Sequence, residues 1–593
     1  MHRVSVGLLA AAGLMACVSA GSATGMAHAT LRPRMGRAGA VVQDQRLGAK
    51  PMHLRGGAPQ DETSPEGSMK IVFVSAEIAP WSITGGLGAV CDGLPRAFAK
   101  AGHRVMSIAP RYDQYFDAWD TDFEAEVPLG ESSTKVRFFH CYKKGVDRVF
   151  VDHPLFLEKV WGLSKQKLYG PKWGQDYEDN QLRFAMFTKA ALVATKSLNL
   201  GGSAYGEDVV FVANDWHASL LPMYIKQAKA AGEWTPAKTV SLLHNMVFQG
   251  RFPADPAAAK RLHLTEELIE SMTTKQTLKV GKQYKQVKGL KGKEEVPNPA
   301  MPCLNFVLGA IKHADSVITV SPGYAQEVTT AAGGKGAEME SALKAAGCLG
   351  ILNGVEDIVR PDNAELGLGE NAYDKTTLEK KQKVKMAMQK SLGFEVDASI
   401  PLFVFLGRLD AQKGVDVMFE AIGQALDAGM KAQFITMGSG IEELEEVAAD
   451  LDDRFPGKFK AVLSFKGAEK YKTYAAADFA VMPSRYEPCG LVQMEGMRFG
   501  TLPIVAPTGG LADTVADMKT GLVMEHEIDA DGLEAEDVTM LVSNFERAIK
   551  VFNSPAQYRG MQTTAMEVSK DYSWANAVKK YVAEFAKIGV KTF

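Results

Sequence analysis

From residue 69 onward, apolar runs of strand length alternate with longer amphipathic stretches. The run at 69–76 leads into a helical pattern that ends near Gly102, and 104–109 is the next apolar run. Three further runs each end in a polar motif: 209–213 before Asn214-Asp215-Trp216-His217, 238–243 before His244-Asn245, and 316–320 before Ser321-Pro322. Regular alternation of strand and helix predicts an α/β protein with parallel sheets built from βαβ units. Residues 353–392 are polar and irregular, then helical, and the pattern restarts at 401–407. Strand runs at 433–437, 461–465, 478–483 and 502–506 follow, and the last helix covers 574–588. No short tandem repeat is visible, so repetition is at the level of the domain. The expected organisation is a leader at 1–68, a first domain at 69–365, a linker at 366–396, a second domain at 397–568 and a terminal helical segment at 569–593. The Lys-rich stretch 275–293 reads most simply as a solvated excursion.

The leader differs in kind from the rest. Arg3 precedes an apolar run at 4–20, and Ser19-Ala20-Gly21-Ser22-Ala23 follows as a small-residue segment. This is a signal-peptide pattern, too short for a convincing membrane span. An Arg-containing, acid-poor stretch at 31–50 comes next and is like a transit peptide. Signal followed by transit segment resembles the bipartite leader of algae with complex plastids; a plain disordered terminus is the simpler alternative. No later segment is apolar enough to span a bilayer, so no membrane partner is expected once the leader is removed.

Composition narrows the function classes. The 593 residues are 46% hydrophobic and 23% charged, enough chain for two or more domains. A net charge of −3 carries no basic excess, which argues against nucleic acid. The six cysteines have no metal-ligand spacing, so neither a metal site nor a disulfide framework is expected.

Two turns are spelt almost alike: Thr84-Gly85-Gly86-Leu87-Gly88 and Thr508-Gly509-Gly510-Leu511. Each lies between an apolar run and a helical pattern. A Gly pair there lets backbone N–H groups approach an anionic or sugar ligand. In the second half, Pro488 and Gly490 force a turn in Ser484-Arg485-Tyr486-Glu487-Pro488-Cys489-Gly490-Leu491. That turn holds Glu487 at the carboxyl edge of a parallel sheet, where ligands bind. The loop Gly407-Arg408-Leu409-Asp410-Ala411-Gln412-Lys413-Gly414 places two cations together. Such cations stabilise a departing diphosphate more than its ground state, although solvated surface charge is their commoner fate. His244-Asn245, with Gln249-Gly250 nearby, would set an imidazole and a carbonyl beside a sugar, or be a satisfied structural pair. Asn214-Asp215-Trp216-His217 reads equally as a ligand motif or as a helix start, with Asp215 as N-cap and Trp216 in the core.

Together these motifs resemble the starch synthase and bacterial glycogen synthase family of retaining glucosyltransferases. Arg111-Tyr112-Asp113-Gln114-Tyr115, Ala118-Trp119-Asp120, Gln249-Gly250-Arg251-Phe252 and Arg485-Tyr486-Glu487-Pro488-Cys489-Gly490-Leu491 are most similar to the granule-bound branch. The resemblance implies a GT-B fold: two Rossmann-like doubly wound domains facing a central cleft, with the terminal helix crossing back to the first. It implies a glucosyltransferase with ADP-glucose or UDP-glucose as donor, an α-1,4-glucan or starch granule as partner, no cofactor or metal, and residence in a plastid. Glu487, His244, Arg408 and Lys413 would be catalytic. Gly85, Gly86, Cys489, Gly490, Leu491, Thr508, Gly509 and Gly510 would join Arg408 and Lys413 around the donor. Asn214, Asp215, Trp216, His217, Asn245 and Gln249 would hold the acceptor. The chain departs from the family where Ile83 replaces a Lys and Ala89 an Asp, and a glucan-binding paralogue of low activity is the alternative this motivates. Another GT-B enzyme, such as sucrose or trehalose-phosphate synthase, fits the second half but not the motif order of the first.

Overall fold

In the computed structural model the described residues are 67–160, 168–171, 175–276, 300–330, 335–464, 467–530 and 532–592. The expected leader, apart from its last two residues, and nearly all of the Lys-rich stretch lie outside them.

The apolar runs are strands, and most are buried along their whole length. Strands Lys70–Val74, Val210–Asn214, Lys238–Leu243 and Ser316–Thr319 pair in parallel, and Arg104–Pro110 and Val146–Asp152 continue the same parallel sheet on the other side. Burial on both faces is why they read as continuous apolar runs rather than alternating ones. The sheet order runs Leu349–Gly350, Ser316–Thr319, Lys238–Leu243, Val210–Asn214, Lys70–Val74, Arg104–Pro110, Val146–Asp152, Ser132–Lys143, Trp119–Leu129. The last two are antiparallel, and the purely parallel expectation did not include them. Their outward positions carry charge, as in Trp119–Leu129 (WDTDFEAEVPL), so they lack the apolar run that marks a buried strand.

The second half has a six-stranded sheet ordered Phe459–Val462, Gln433–Met437, Leu402–Leu406, Phe479–Met482, Leu502–Val505, Leu522–Val523, with every pairing parallel. Residues 380–391, in the stretch read as a linker, form helix Lys380–Ser391 packed on this half. The buried Lys381 ammonium donates to the Tyr474 and Ala475 carbonyls at 2.8 and 3.1 Å and to the Thr501 hydroxyl at 2.9 Å.

The terminal helix Trp574–Lys587 docks on helix Gly86–Lys100 of the first half. Phe585 stacks on Phe98 with ring centroids 5.7 Å apart, and the Ser316 hydroxyl donates to Glu584 at 2.8 Å. The two halves also meet along the rim of the cleft. The Ser321 hydroxyl donates to the Pro488 carbonyl at 2.6 Å, and the Gly323 amide to Asp513 at 2.7 Å.

Candidate active site

Each sheet reverses its strand order at one point. In the first half the chain winds outward on both sides of the neighbours Lys70–Val74 and Val210–Asn214; in the second, on both sides of Leu402–Leu406 and Phe479–Met482. Loops leaving the carboxyl ends of such strand pairs diverge and open a crevice. Those four loops carry Thr84-Gly85-Gly86, Asp215, Arg408 to Lys413, and Glu487.

The first glycine turn is anchored by a residue the motif reading passed over. Glu77 follows the first strand and is buried. Its carboxylate accepts from the Thr84 amide at 2.6 Å, the Thr84 hydroxyl at 2.5 Å and the Tyr169 hydroxyl at 2.5 Å. Burial raises its pKa above the ordinary carboxylate value; bonds from Thr84 and Tyr169 and the Arg408 cation of the other half oppose the rise. The turn held this way is open. A Cβ at Gly86 would meet nothing within 4 Å, and one at Gly85 would reach only the Arg408 Nη1 at 4.0 Å. Gly85 caps the 15-residue helix Gly86–Lys100 with no side-chain bond, so its first amides have no cap from that residue.

Beside this turn, Asp215 takes a left-handed φ of 54°. The structural N-cap of the short helix Asp215–Ala218 is Asn214, and the Asp215 carboxylate instead accepts from the His244 amide at 2.7 Å. Burial raises its pKa to about 7, against the pull of the His244 and Asn245 amides and with a further push from Glu77. His244 is buried, which drops its pKa to about 3, so the ring is neutral. The Asn214 amide donates to the Val74 and Val212 carbonyls, leaving its oxygen to accept, and so His244 Nε2, 3.0 Å away, carries the proton. Asn245 uses its side-chain oxygen to accept from the Val247 amide at 3.1 Å.

Three residues expected at the acceptor are placed otherwise. Trp216 is packed in the core, against Phe184 at 4.9 Å. His217 is buried between the Tyr169 and Phe184 rings, at 4.6 and 4.7 Å. Gln249 donates to the Met246 and Ala337 carbonyls and accepts from Asn305 at 2.6 Å and Arg251 at 3.0 Å. A fully engaged amide braces the loop rather than presenting a group to sugar.

In the second half, Asp410 caps the turn Ala411–Lys413 by accepting from the Lys413 amide at 3.1 Å, which fixes the cation loop. Arg408 extends toward the first half, steadied by Gln412 at 3.2 Å and Asp410 at 3.1 Å. The Lys413 ammonium donates to the buried Glu487 carboxylate, so these two catalytic expectations form one ion pair. Arg485 fastens the turn beneath, bidentate to Asp416 at 2.7 and 2.8 Å and donating to the Ala411 carbonyl at 2.7 Å. Gly490 takes φ 71° and Leu491 caps helix Val492–Arg498, while burial pushes the Cys489 thiol up to about 12 and leaves it inert.

The second glycine turn differs from the first despite its spelling. Cβ atoms at Gly509 and Gly510 would fall 2.2 Å from the Glu487 carbonyl oxygen and 2.1 Å from that of Cys489. The Gly510 amide donates to the Glu487 carbonyl at 3.0 Å. The Gly509 amide and the Thr508 hydroxyl both donate to Glu327 of the first half, at 2.7 and 3.1 Å, and Lys335 joins the cluster. Thr508, Gly509 and Gly510 therefore back the Glu487 segment and clasp the two halves, where ligand contact was expected of them. On the side where a Cβ would stand, these glycines admit close backbone.

A shallow opening lies where the halves face each other, between Phe248 on one wall and Arg408, Asp410, Gln412, Ile441 and Tyr486 on the other. Ile441 escaped the sequence reading because it is a lone apolar residue in a loop. Ile83 is half-buried and Ala89 exposed, at the mouth beside the first turn. Among the described residues no group of His, Cys, Asp and Glu is disposed to hold a metal ion, and no helix is long and apolar enough to cross a membrane.

Residues 70–345 match the starch synthase catalytic domain family and 400–544 the glycosyl transferases group 1 family. Among solved structures the chain is similar to the catalytic domain of starch synthase IV from Arabidopsis thaliana bound to ADP and acarbose, at 25% identity and TM-score 0.71 over 88% of this chain and 99% of that one. Sucrose-phosphate synthase from Thermosynechococcus elongatus shares the fold at 16% identity and TM-score 0.53, with the same coverage. Two Rossmann-like domains set cleft to cleft in this way define a glycosyltransferase of the GT-B class. Granule-bound starch synthase 1, chloroplastic/amyloplastic, of Zea mays is 42% identical over 530 residues, 88% of this chain and 84% of that protein. That of Solanum tuberosum is 43% identical over 521 residues, 86% and 82% of the two chains. The chain belongs to the starch synthase family.

Proposed function

We propose that this enzyme transfers glucose from ADP-glucose, or UDP-glucose, to the non-reducing end of an α-1,4-glucan with retention. The observation that carries the reading is Arg408 of the second half, which faces the open Gly85-Gly86 turn and the Glu77 carboxylate of the first. A nucleotide diphosphate at this point would meet both that cation and the N-terminus of helix Gly86–Lys100, where backbone amides and the helix dipole favour negative charge. The ADP in the starch synthase IV structure supports the same ligand class here.

The glucan 4-hydroxyl attacks the anomeric carbon as the bond from that carbon to the diphosphate breaks, and the hydroxyl proton passes to the departing diphosphate oxygen. Charge growing on the leaving group is met by Arg408 and Lys413, which fill the place a divalent ion would otherwise take. Glu487, set by Lys413, orients the glucose hydroxyls, with the Cys489-Gly490-Leu491 backbone beside it. His244 is neutral and so adds no positive charge against the oxocarbenium-like centre. Asp215 and Asn214 hold it in place. The first half serves the acceptor and the second the nucleotide sugar, with the boundary in the 366–396 stretch. Closure over the donor keeps water from the anomeric carbon.

The chloroplastic and amyloplastic relatives support a plastid or plastid-derived compartment, addressed by the leader at 1–68. Labelled ADP-glucose and UDP-glucose, each supplied with maltoheptaose, test the reading. Ladders of longer maltooligosaccharides from at least one donor are expected. Glucan binding without elongation from either donor would overturn the reading in favour of a silent paralogue.

A further inference from the structure

Helix Pro322–Val328 follows the first-half strand Ser316–Thr319, yet its polar anchors reach into the second half. The Ser321 hydroxyl that caps it donates to the Pro488 carbonyl, and the Gly323 amide donates to Asp513. Glu327 accepts from the Thr508 hydroxyl and the Gly509 amide. A Cβ at Gly323 would stand 2.7 Å from the Gly509 carbonyl oxygen, so the halves touch backbone to backbone there. Gly323 and Glu327 lie one turn apart on the face turned to the second half. Tyr324, about 100° round from Gly323, is buried in the core of the first half. Its hydroxyl accepts from the Met246 amide at 3.0 Å. Met246 is the centre of the loop that carries His244 at one end and Phe248 at the other. Its carbonyl accepts from Gln249 at 2.8 Å, so both of its backbone groups are held. Burial raises the Tyr324 pKa well above the ordinary tyrosine value, against the pull of the Met246 amide and with a push from Tyr486, Glu327 and Asp215. The hydroxyl is therefore neutral and stands within electrostatic reach of both walls of the cleft.

We propose that Tyr324 is a positioning residue through which contact with the second half sets the His244 loop, so that the loop takes its transfer geometry only while the halves are clasped. The role in transfer rests on the enzymatic reading above; the coupling does not. The path is short and contiguous. Pro488, Gly509 and Asp513 hold the helix, the helix carries Tyr324, and Tyr324 holds Met246, two residues from His244. A helix of seven residues moves as one body, so a shift of its second-half anchors carries the hydroxyl with them. The other anchors of the loop, Asp215 at the His244 amide and the Asn245 side chain at the Val247 amide, belong to the first half. Met246 is thus the point at which closure is felt. His244 is then set in place together with Glu487, whose turn Ser321 grips, and a donor in an open cleft is not activated toward water. A hydroxyl that merely satisfied one buried amide would carry no link to the clasp.

The test compares the whole protein with Tyr324→Phe, with the clasp variant Thr508→Val/Asp513→Ala, and with the two combined. Thr508 and Asp513 lie in the second half and bond to the helix, not to the loop. Amide hydrogen exchange of residues 244–249 reads the loop, with strand Arg104–Pro110 as internal control. Tyr324→Phe removes the acceptor of the Met246 amide and should speed exchange of the segment about tenfold. The clasp variant should speed the same segment at least about threefold and leave the control unchanged. Transfer from ADP-glucose to maltotriose should lose about threefold to tenfold in kcat in either variant. The combined variant should lose no more than the worse of the two, because both cut one path. ADP affinity should stay within about twofold in Tyr324→Phe, since a positioning role acts on turnover and not on donor binding. Wild-type exchange of the loop in the clasp variant would overturn the proposal, as would equal acceleration of the control, which would mean that the clasp holds the whole half. Unchanged kcat in Tyr324→Phe, or losses that multiply in the combined variant, would overturn it too. A wild-type protein that elongates no acceptor would defeat the enzymatic reading, and the exchange arm would still decide the coupling.

Discussion

Replacing Asp215 with Asn should make this protein more stable at pH 8 than at pH 5, relative to wild type. The pKa of the Asp215 carboxyl rises from 3.8 to about 7 because folding buries it. A carboxyl whose folded pKa lies above its unfolded pKa binds protons more tightly in the folded state. Its ionisation therefore costs stability as pH rises from the unfolded value to the folded one. Between pH 5 and pH 7 the cost grows by about 1.4 kcal/mol per pH unit, close to 3 kcal/mol, and then levels off. Asp215 keeps some surface toward the cleft, so water reduces this, and about 2 kcal/mol is expected. Asn is the apt substitute: its oxygen can still accept from the His244 amide, and Asn tolerates left-handed backbone. The assay is the midpoint of thermal unfolding for both proteins at pH 5 and pH 8. Differencing the two proteins cancels every titrating group that does not interact with Asp215; Glu77 is the neighbour that does. The variant should gain roughly 2–4 °C on wild type between the two pH values. An equal offset at both would refute a buried, raised carboxyl at this position.

Lys413→Ala should weaken ADP binding at least tenfold and lower stability by about 2 kcal/mol, since it strands the buried Glu487 carboxylate, while Glu487→Gln should cost under about 1 kcal/mol. Calorimetric ADP titration with thermal melts separates the two effects, and an equal loss of glucan binding in Lys413→Ala would count against the donor assignment. Gly86→Ala should fold as wild type, whereas Gly510→Ala should lose roughly 2–4 kcal/mol, because its Cβ would fall 2.1 Å from the Cys489 carbonyl oxygen. Equal denaturation midpoints for those two variants would erase the distinction between the turns. Ile83→Lys with Ala89→Asp should raise turnover from ADP-glucose, by about tenfold or more if a charge-assisted contact to the diphosphate is restored. Unchanged or lower kcat would mean that the existing cations already suffice.

Buried parallel strands were the most legible part of the chain. Leu402–Leu406 is apolar throughout and declares itself. The antiparallel extension stayed hidden because Trp119–Leu129 faces water on one side and carries charge there. That Arg408, Lys413 and Glu487 lie close together was legible because one short loop or one turn after a strand holds each. Gln249 was misread because its partners, Asn305 and Ala337, are distant in sequence and only the fold brings them close. Glu77 was passed over for the same reason: Tyr169 lies 92 residues away. The two glycine turns show the limit of spelling. What fixes their roles is the backbone packed behind them, and that is a property of the tertiary structure.

The placement of the donor between Arg408 and the Gly85-Gly86 turn is the claim on which the enzymatic reading depends most. Calorimetric titration of ADP into wild type and Arg408→Ala tests it directly. Loss of one charge-assisted contact to the diphosphate should weaken binding by roughly tenfold to a hundredfold in the variant, with its melting temperature preserved. ADP affinity that is the same in both proteins would contradict that placement.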